Sequence, residues 1–197
     1  MTDLLLATTN VGKQREFQRL LERLPARIVV PEQIGLAMTV KEPFDTYADN
    51  ARAKADAYCR ASGRLTLADD SGLEVAALDW GPGVRTGRYG GPAVTDRVAH
   101  LLAAVDGATE RAARMVCVLA IGIPADDAPR IELFTGTIEG RLGTEPRGVG
   151  GFGYDPVFVL PSGLTTAQLP EREKDAISHR GRAVAAAWPR LLELLAS

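Results

Sequence analysis

Three features are scarce in this sequence: an excess of basic residues, long apolar runs and cysteine. Acidic residues outnumber basic ones by 25 to 23, so the charge balance gives no indication of a polyanionic partner such as nucleic acid. The longest apolar run covers residues 115–123 and is much shorter than the ~20 residues of a membrane helix, so we expect no membrane span. The two cysteines, Cys59 and Cys117, are expected to be reduced core thiols.

The N-terminal residues and the composition indicate a cytoplasmic globular protein. Met1-Thr-Asp lacks the positive segment of a signal peptide, and Asp3 stands where such a peptide has apolar or basic residues. Of the 197 residues, 46% are hydrophobic and 24% charged. This composition predicts a single domain over residues 1–197 with a real core and at most two lobes.

Lysine is rare as well, because most basic residues are arginine. The lysines are Lys13, Lys41, Lys54 and Lys174. In such a chain a lysine remains either by chance or where a compact ammonium group cannot be replaced by a guanidinium fork. Lys13 and Lys174 lie within polar motifs and are the first candidates for such a role.

Hydrophobic periodicity predicts strands that alternate with helices and are followed by two long strands. We expect strands at residues 3–8, 28–30, 65–68, 111–123 and 130–138, with an antiparallel pairing of the last two. We expect helices at residues 46–62 and 178–195 and around residues 17–24 and 98–105. This order predicts an α/β fold with a mixed sheet flanked by helices.

The segment from Thr8 to Lys13 connects the first predicted strand to the first helix. Backbone N–H groups at a helix start favour an anion, and Lys13 would add a positive charge. A turn with a solvated lysine explains the same residues.

The sequence Asp69-Asp70-Ser71-Gly72 places two acids and a hydroxyl at the predicted end of a buried strand. Ligands commonly bind at this position in α/β sheets, and carboxylate oxygens suit Mg²⁺. One acid would hold the metal and the other would orient water, with Glu42 as a further ligand. The alternative is an Asx turn that reverses the chain.

Glycine is concentrated in residues 148–156, around Phe152 and Asp155. Glycine lets the backbone approach a ligand, Phe152 offers a flat face, and Asp155 offers an acceptor for base N–H groups. A nucleobase fits this combination. A glycine-rich hairpin with core aromatic residues fits it about as well.

Three basic residues, Lys174, His179 and Arg180, surround the predicted start of the last helix. Basic groups at a helix N-terminus oppose the helix dipole and reduce stability unless an anion is bound. A bound anion and a solvated surface remain equal alternatives for this cluster.

Taken together, the motifs resemble the inosine triphosphatase family, the non-standard purine nucleoside triphosphate pyrophosphatases. The resemblance runs almost from end to end and is carried by Thr8-x-Asn10-x-x-Lys13-x-x-Glu16, Ala68-Asp-Asp-Ser-Gly72, Pro82-Gly-Val84, Arg88-Tyr89, Gly150-Gly-Phe-Gly-Tyr-Asp-Pro156 and Ser178-His-Arg180. Several motifs in the same order are far more specific than any one of them.

The resemblance implies a fold, an activity and an assembly. The fold would have a long mixed central sheet flanked by helices, with two lobes and a substrate cleft between them. The activity would be Mg²⁺-dependent hydrolysis of ITP, dITP and XTP to the monophosphate and pyrophosphate, which removes these nucleotides from the nucleotide pool. The protein would be a homodimer.

The resemblance also implies a role for individual residues. Asp70 would be the general base and a metal ligand, with Glu42 and Asp69 as further metal ligands. Ser71 would contact substrate. The phosphates would be bound by Thr8, Thr9, Asn10, Val11, Gly12 and Lys13. The purine and ribose would be bound by Phe152, Gly153, Tyr154, Asp155, Lys174, His179 and Arg180.

Thr9, Trp80 and Arg85 depart from the residues usual in this family, but none of them removes a charged group of the implied site.

Two other functions compete with this interpretation. A Maf-like pyrophosphatase for modified pyrimidine nucleotides is disfavoured by the Phe152 to Asp155 loop. A non-catalytic nucleotide sensor is disfavoured by the acids, because a binder needs no group that activates water.

Overall fold

Seven strands and five α-helices make up the computed structural model, which describes residues 2–91 and 93–196. The strands are β1 Thr2–Leu6, β2 Ala26–Val29, β3 Leu65–Val75, β4 Gly81–Pro82, β5 Ala112–Ile123, β6 Arg130–Leu142 and β7 Phe158–Val159. The helices are α1 Val11–Leu20, α2 Tyr47–Ser62, α3 Val94–Ala104, α4 Glu171–Ile177 and α5 His179–Ala196. In this part of the chain no helix is both long and apolar enough to cross a membrane.

All seven strands belong to one mixed sheet, as the sequence predicts. The order is β2-β1-β3-β5-β6-β7, and β4 pairs with β3. Strand β1 is parallel to β2 and to β3, with Leu5 opposite Val29 and Thr66. Strand β7 is antiparallel to β6, with Phe158 opposite Leu142. Strands β5 and β6, which the sequence predicts to pair, are hydrogen-bonded neighbours in this order.

The chain divides into two compact units. Unit 1 comprises the residues up to Asp70, residues 117–136 and the residues from Arg180 onward, and unit 2 comprises Ser71–Val116 and Thr137–His179. Strands β3, β5 and β6 each contribute residues to both units, so neither unit is a continuous stretch of sequence.

The core of unit 1 lies on both faces of its strands. In β1, Leu4 and Leu6 belong to one buried cluster and Leu5 to another, because successive side chains of a strand point to opposite faces. The first cluster also contains Phe17, Leu21, Leu67, Leu119, Ile121 and Leu191. The second also contains Val29, Ala51, Ala55, Tyr58, Ala68 and Val118. A strand buried on both faces reads as a continuous apolar run, as Leu4-Leu5-Leu6 does.

Among its described residues, unit 2 has a buried apolar cluster. Helix α3 contributes Val98 and Leu101 to it, three residues apart on one helix face. Other members are Leu73, Val75, Met115, Ile138, Leu142, Tyr154 and Phe158. This core supports the segment that carries Phe152 and Asp155.

Local signals explain where α2 begins and ends. Thr46 is its N-cap, and the hydroxyl of Thr46 accepts a hydrogen bond from the backbone N–H of Asp49 at 3.1 Å. Gly63 ends the helix with φ +64°, a conformation that glycine adopts without strain. The helix predicted at residues 46–62 is confirmed.

Several predicted boundaries are wrong. The helix predicted around residues 17–24 begins at Val11 and ends at Leu20, and the strand predicted at residues 3–8 ends at Leu6. The strand expected to end at Ala68 continues through Asp69, Asp70 and Ser71 to Val75. The helix start expected to gather Lys174, His179 and Arg180 is divided, because Lys174 belongs to the last turn of α4 and α5 begins only at His179.

Candidate active site

The two adjacent acids of the site, Asp69 and Asp70, lie within β3 and are both buried. The chain does not reverse at these residues, so the alternative of an Asx turn is wrong. Lys13 and Lys54 act on both carboxylates, whereas Arg180 acts on Asp69 and Glu42 on Asp70. The pKa values of the two acids are shifted in opposite directions.

Asp69 is surrounded by cations. Its Oδ2 lies 2.8 Å from Lys13 Nζ and 3.7 Å from Arg180 Nε. Burial alone would raise the pKa of Asp69, but the charges of Lys13 and Arg180 outweigh burial and hold the pKa well below its usual range. Asp69 is therefore a carboxylate that stays ionised in the folded protein.

The pKa of Asp70 is shifted the other way. Burial raises it above the usual range, and the nearby charges of Lys13 and Lys54 lower it by less than burial raises it. The Nδ2 group of Asn50 donates a hydrogen bond to Asp70 Oδ2 at 3.0 Å. Asn50 is itself held on the buried face of α2 by the backbone N–H and carbonyl of Phe44. A buried, oriented carboxylate with a raised pKa is well suited to accept a proton.

Lys54 joins this group of charges from α2, although the motif analysis did not assign it to the site. Its Nζ donates to the backbone carbonyl of Asp69 at 2.8 Å and forms an ion pair with Glu42. Burial would lower the pKa of Lys54, but the carboxylates of Asp69 and Glu42 raise it. The rarity of lysine was a signal that could have identified this residue.

Helix α1 begins inside the first predicted phosphate segment. Asn10 is its N-cap, and the side-chain oxygen of Asn10 accepts from the backbone N–H of Lys13 at 3.1 Å. Thr8 is buried, whereas Thr9 is exposed. Val11 and Gly12 are the first two residues of the helix, and Lys13 reaches Asp69, so the alternative of a solvated lysine is wrong.

Arg180, in the first turn of α5, forms a second buried ion pair. Its Nη1 donates to Glu16 Oε2 at 3.1 Å, and both side chains are buried. The sequence placed Arg180 beside Lys174 at the base and ribose end, but the contacts found for Arg180 are with Glu16 and Asp69. Glu16 lies in a sequence motif but had no role assigned from it.

In unit 2, the carboxylate of Asp155 is the centre of a buried polar network. Oδ2 accepts from the backbone N–H of Phe152 at 2.7 Å and from Lys174 Nζ at 2.6 Å. Oδ1 accepts from the hydroxyl of Thr166 at 2.8 Å. Both oxygens that the sequence suggested as acceptors for a base therefore already accept hydrogen bonds from the protein.

Phe152 is half-buried, and Lys174 Nζ lies 5.2 Å from the centroid of its ring. This separation is typical of a cation–π contact. Gly151 (φ +68°) precedes Phe152, and a Cβ atom at Gly151 would lie 2.1 Å from Asp155 Oδ2. The glycine is required because the carboxylate approaches its backbone so closely. This loop is thus built around an ion pair rather than as a simple hairpin.

The remaining predicted residues of unit 2 have defined positions. Gly153 has φ +64°, and the hydroxyl of Tyr154 donates to the carbonyl of Thr86 at 3.3 Å. Ser71 is half-buried in β3 immediately after the two acids. His179 is buried at the start of α5.

A cluster of three metal-binding side chains is absent from the described residues. Within residues 2–91 and 93–196, no group of three or more His, Cys, Asp or Glu residues could hold a metal ion. Asp69 faces Lys13, and Glu42 faces Lys54. The three-carboxylate arrangement suggested by Glu42, Asp69 and Asp70 is therefore not formed as a closed protein site.

Comparisons with known proteins agree with the motifs. The sequence profile of the Ham1 family matches residues 4–189. A dITP/XTP pyrophosphatase of Parasynechococcus marenigrum is 44% identical over 100% of this chain and 98% of the relative. One of Symbiobacterium thermophilum is 46% identical over 98% of this chain and 96% of the relative.

A solved structure gives the same result. The structure of a HAM1 protein from Coxiella burnetii has a TM-score of 0.87 at 36% identity and covers 98% of this chain and 100% of its own. The resemblance inferred from the motifs is confirmed, and the chain belongs to the Ham1 family.

Proposed function

We propose that this protein hydrolyses the non-standard purine nucleoside triphosphates ITP, dITP and XTP to the monophosphate and pyrophosphate. The observation that carries the proposal is the pair of adjacent buried acids beside Lys13 and Lys54, Asp69 with a lowered pKa and Asp70 with a raised one. The relatives named dITP/XTP pyrophosphatases support the choice of substrate.

Asp70 is the proposed general base. Burial raises its pKa, so its carboxylate binds a proton more readily than an exposed one. The hydrogen bond from Asn50 orients the carboxylate that would bind the attacking water molecule. That water attacks the α-phosphorus, its proton passes to Asp70, and the bond from the α-phosphorus to the pyrophosphate oxygen breaks.

The proposed phosphate-binding group is the start of α1 together with two lysines. Thr8, Thr9, Asn10, Val11 and Gly12 lead into Lys13, and the helix N-terminus attracts negative charge. Lys54 adds a second ammonium group beside Asp69. Asp69 forms an ion pair with Lys13, and its backbone carbonyl accepts a hydrogen bond from Lys54. The proposed role of Asp69 is therefore to position these two lysines.

Mg²⁺ is the proposed cofactor, with Glu42 and Asp70 as the residues that would hold it. Their oxygens have the right chemistry, and Mg²⁺ sites commonly use only one or two carboxylates together with substrate phosphates. An incomplete set of protein ligands therefore fits Mg²⁺. When bound, the ion would neutralise charge on the leaving pyrophosphate.

The proposed base-binding group is formed by residues of unit 2. Phe152 offers a ring on which a purine would stack, and the ammonium group of Lys174 lies against that ring. The ammonium group of Lys174 is a hydrogen-bond donor, the kind of group that suits the 6-oxo group of hypoxanthine or xanthine. We also propose, from the family resemblance, that the protein is a homodimer, which light scattering at twice the monomer mass would support.

The proposed activity is tested by incubating the protein with dITP or XTP and Mg²⁺ and measuring pyrophosphate release. Asp70→Asn keeps the size of the side chain but removes its charge, so the rate should fall at least ~10²-fold, the range for loss of a general base. Asp126→Asn, in an exposed turn, is the matched control and should retain full activity. Normal turnover by a folded Asp70→Asn protein would remove Asp70 from the chemistry.

A further inference from the structure

A short segment of unit 2 packs against the glycine-rich loop at residues 148–156. This support segment consists of Thr165 and the 3-10 helix Thr166–Gln168. The hydroxyl of Thr165 donates to the carbonyl of Arg147 at 2.6 Å, and the backbone N–H of Gly150 donates to the carbonyl of Ala167 at 3.0 Å. Backbone groups of the loop on both sides of Gly148 thus form hydrogen bonds with the support segment.

The packing between the two segments leaves no free space. A Cβ atom at Gly148 would lie 2.6 Å from the carbonyl carbon and oxygen of Ala167, and one at Gly150 would lie 2.9 Å from that oxygen. Such close backbone approach is possible only with glycine. A change in the position of the support segment would therefore be transmitted directly to the loop.

The third contact is polar and ends on Asp155. Thr166 is 2% exposed, and its hydroxyl donates to Asp155, with Oδ1 at 2.8 Å and the backbone carbonyl oxygen at 3.1 Å. The other oxygen, Oδ2, serves Phe152 N–H and Lys174 Nζ. One oxygen of the carboxylate therefore accepts hydrogen bonds from the loop and from Lys174, and the other accepts one from the support segment.

Rotation about the bond between Cβ and Cγ of an aspartate has broad minima and moves both carboxylate oxygens together. The hydrogen bond to Oδ1 therefore restricts the same rotation that places Oδ2 and its two donors. Because Thr166 is buried, water has no ready access to replace its hydroxyl if the hydroxyl is removed.

We propose that Thr166 is a positioning residue for purine recognition: its hydroxyl fixes the plane of the Asp155 carboxylate and thereby the placement of the Phe152 ring and the Lys174 ammonium group. The inference rests on the proposed function, since it assigns Phe152 and Lys174 to the base of the substrate. Thr166 itself acts through Asp155 and does not touch the nucleotide.

The test compares Thr166→Val, which keeps the shape and removes the hydroxyl, with Thr166→Ser, which keeps the hydroxyl. With dITP, Thr166→Val should raise KM about 10-fold, equivalent to ~1.4 kcal/mol, and leave kcat within about 3-fold of the wild type. Its preference for ITP over ATP should fall as well. Thr166→Ser should restore both KM and the preference.

A matched control loses a buried hydroxyl elsewhere. Thr66 is completely buried in β3 of unit 1, and its hydroxyl donates to the carbonyl of Arg64 at 2.9 Å. Thr66→Val should destabilise the protein but leave KM and the ITP preference unchanged. A general effect of losing a buried hydroxyl would change KM in both valine variants.

Several results would overturn the inference. They are an unchanged KM in Thr166→Val, an equal defect in Thr166→Ser, and a loss confined to kcat. If Thr166→Val does not fold, Thr166→Ala carries the comparison, and failure of both to fold while Thr166→Ser folds assigns the hydroxyl to stability instead. Failure of the wild type to release pyrophosphate from dITP and XTP would overturn the proposed function itself, and the inference with it.

Discussion

Asn50 holds the proposed general base: its Nδ2 group donates to Asp70 Oδ2 at 3.0 Å, and both side chains are buried. Asn50→Asp keeps the size of the side chain but replaces a donor with a second negative charge beside Asp70. Two adjacent carboxylates repel each other and disfavour ionisation. We expect kcat at pH 7 to fall at least ~10-fold, the lower end of what a positioned base contributes.

The Asn50 prediction is checked by steady-state kinetics together with circular dichroism, so that a folding defect is recognised. A folded Asn50→Asp enzyme with wild-type kcat would show that the orientation of Asp70 by Asn50 has no importance for the rate.

Phe152 should contribute to substrate affinity through its aromatic face. Phe152→Leu keeps apolar volume but removes the ring, and stacking of a base on an aromatic side chain contributes ~1–3 kcal/mol, so KM for dITP should rise ~5-fold or more. Phe152→Tyr retains the ring and is the matched control. If the leucine and tyrosine variants have the same KM, the ring does not stack on the purine.

Selection of the purine should depend on the group at position 6. ITP and XTP have an acceptor oxygen there, whereas ATP has an amino donor that would face the donor Lys174. A buried group left without its partner costs about 1–3 kcal/mol, so kcat/KM should favour ITP over ATP at least ~10-fold. Equal kcat/KM values for ITP and ATP would remove the base-reading role of Phe152 and Lys174.

Both cysteine thiols should react slowly in the native protein. Cys59 and Cys117 are buried, and burial raises the pKa of each thiol, so little reactive thiolate is present at pH 8. With a thiol-specific chromogenic reagent at pH 8, we expect slow labelling of the native protein and rapid labelling of both thiols in denaturant. Fast labelling without denaturant would contradict the burial of these side chains.

The sequence predicts those parts of the fold that have local causes. Helix α2 follows from its alanine-rich face, the Thr46 cap and Gly63, and its predicted and observed ends agree within a residue. Strand β1 follows from the run Leu4-Leu5-Leu6. The motifs predict the family, because several short segments in a fixed order carry more information than hydrophobic periodicity does.

Tertiary contacts explain the features that the sequence did not predict. The acids Asp69 and Asp70 suggest a turn, yet they continue a buried strand because Lys13 and Asn50 compensate their charges and hydrogen-bonding needs. The ion pair of Glu16 with Arg180 joins α1 to α5 across 164 residues of sequence, so no local pattern indicates it.

The hydrogen-bond network around Asp155 could not be predicted from the sequence for a related reason. Local composition identified Phe152 and Asp155 as ligand-binding candidates, but it could not show that Thr166 and Lys174 occupy both oxygens of that carboxylate. Buried polar groups are paired in folded proteins, and their partners come from segments distant in sequence.

The site of water attack tests the central claim most directly. The protein is incubated with dITP and Mg²⁺ in water enriched in ¹⁸O, and the products are analysed by mass spectrometry. Attack of water at the α-phosphorus predicts one ¹⁸O atom in dIMP and none in the pyrophosphate. Label in the pyrophosphate, or labelled orthophosphate with dIDP as the nucleotide product, would contradict the account.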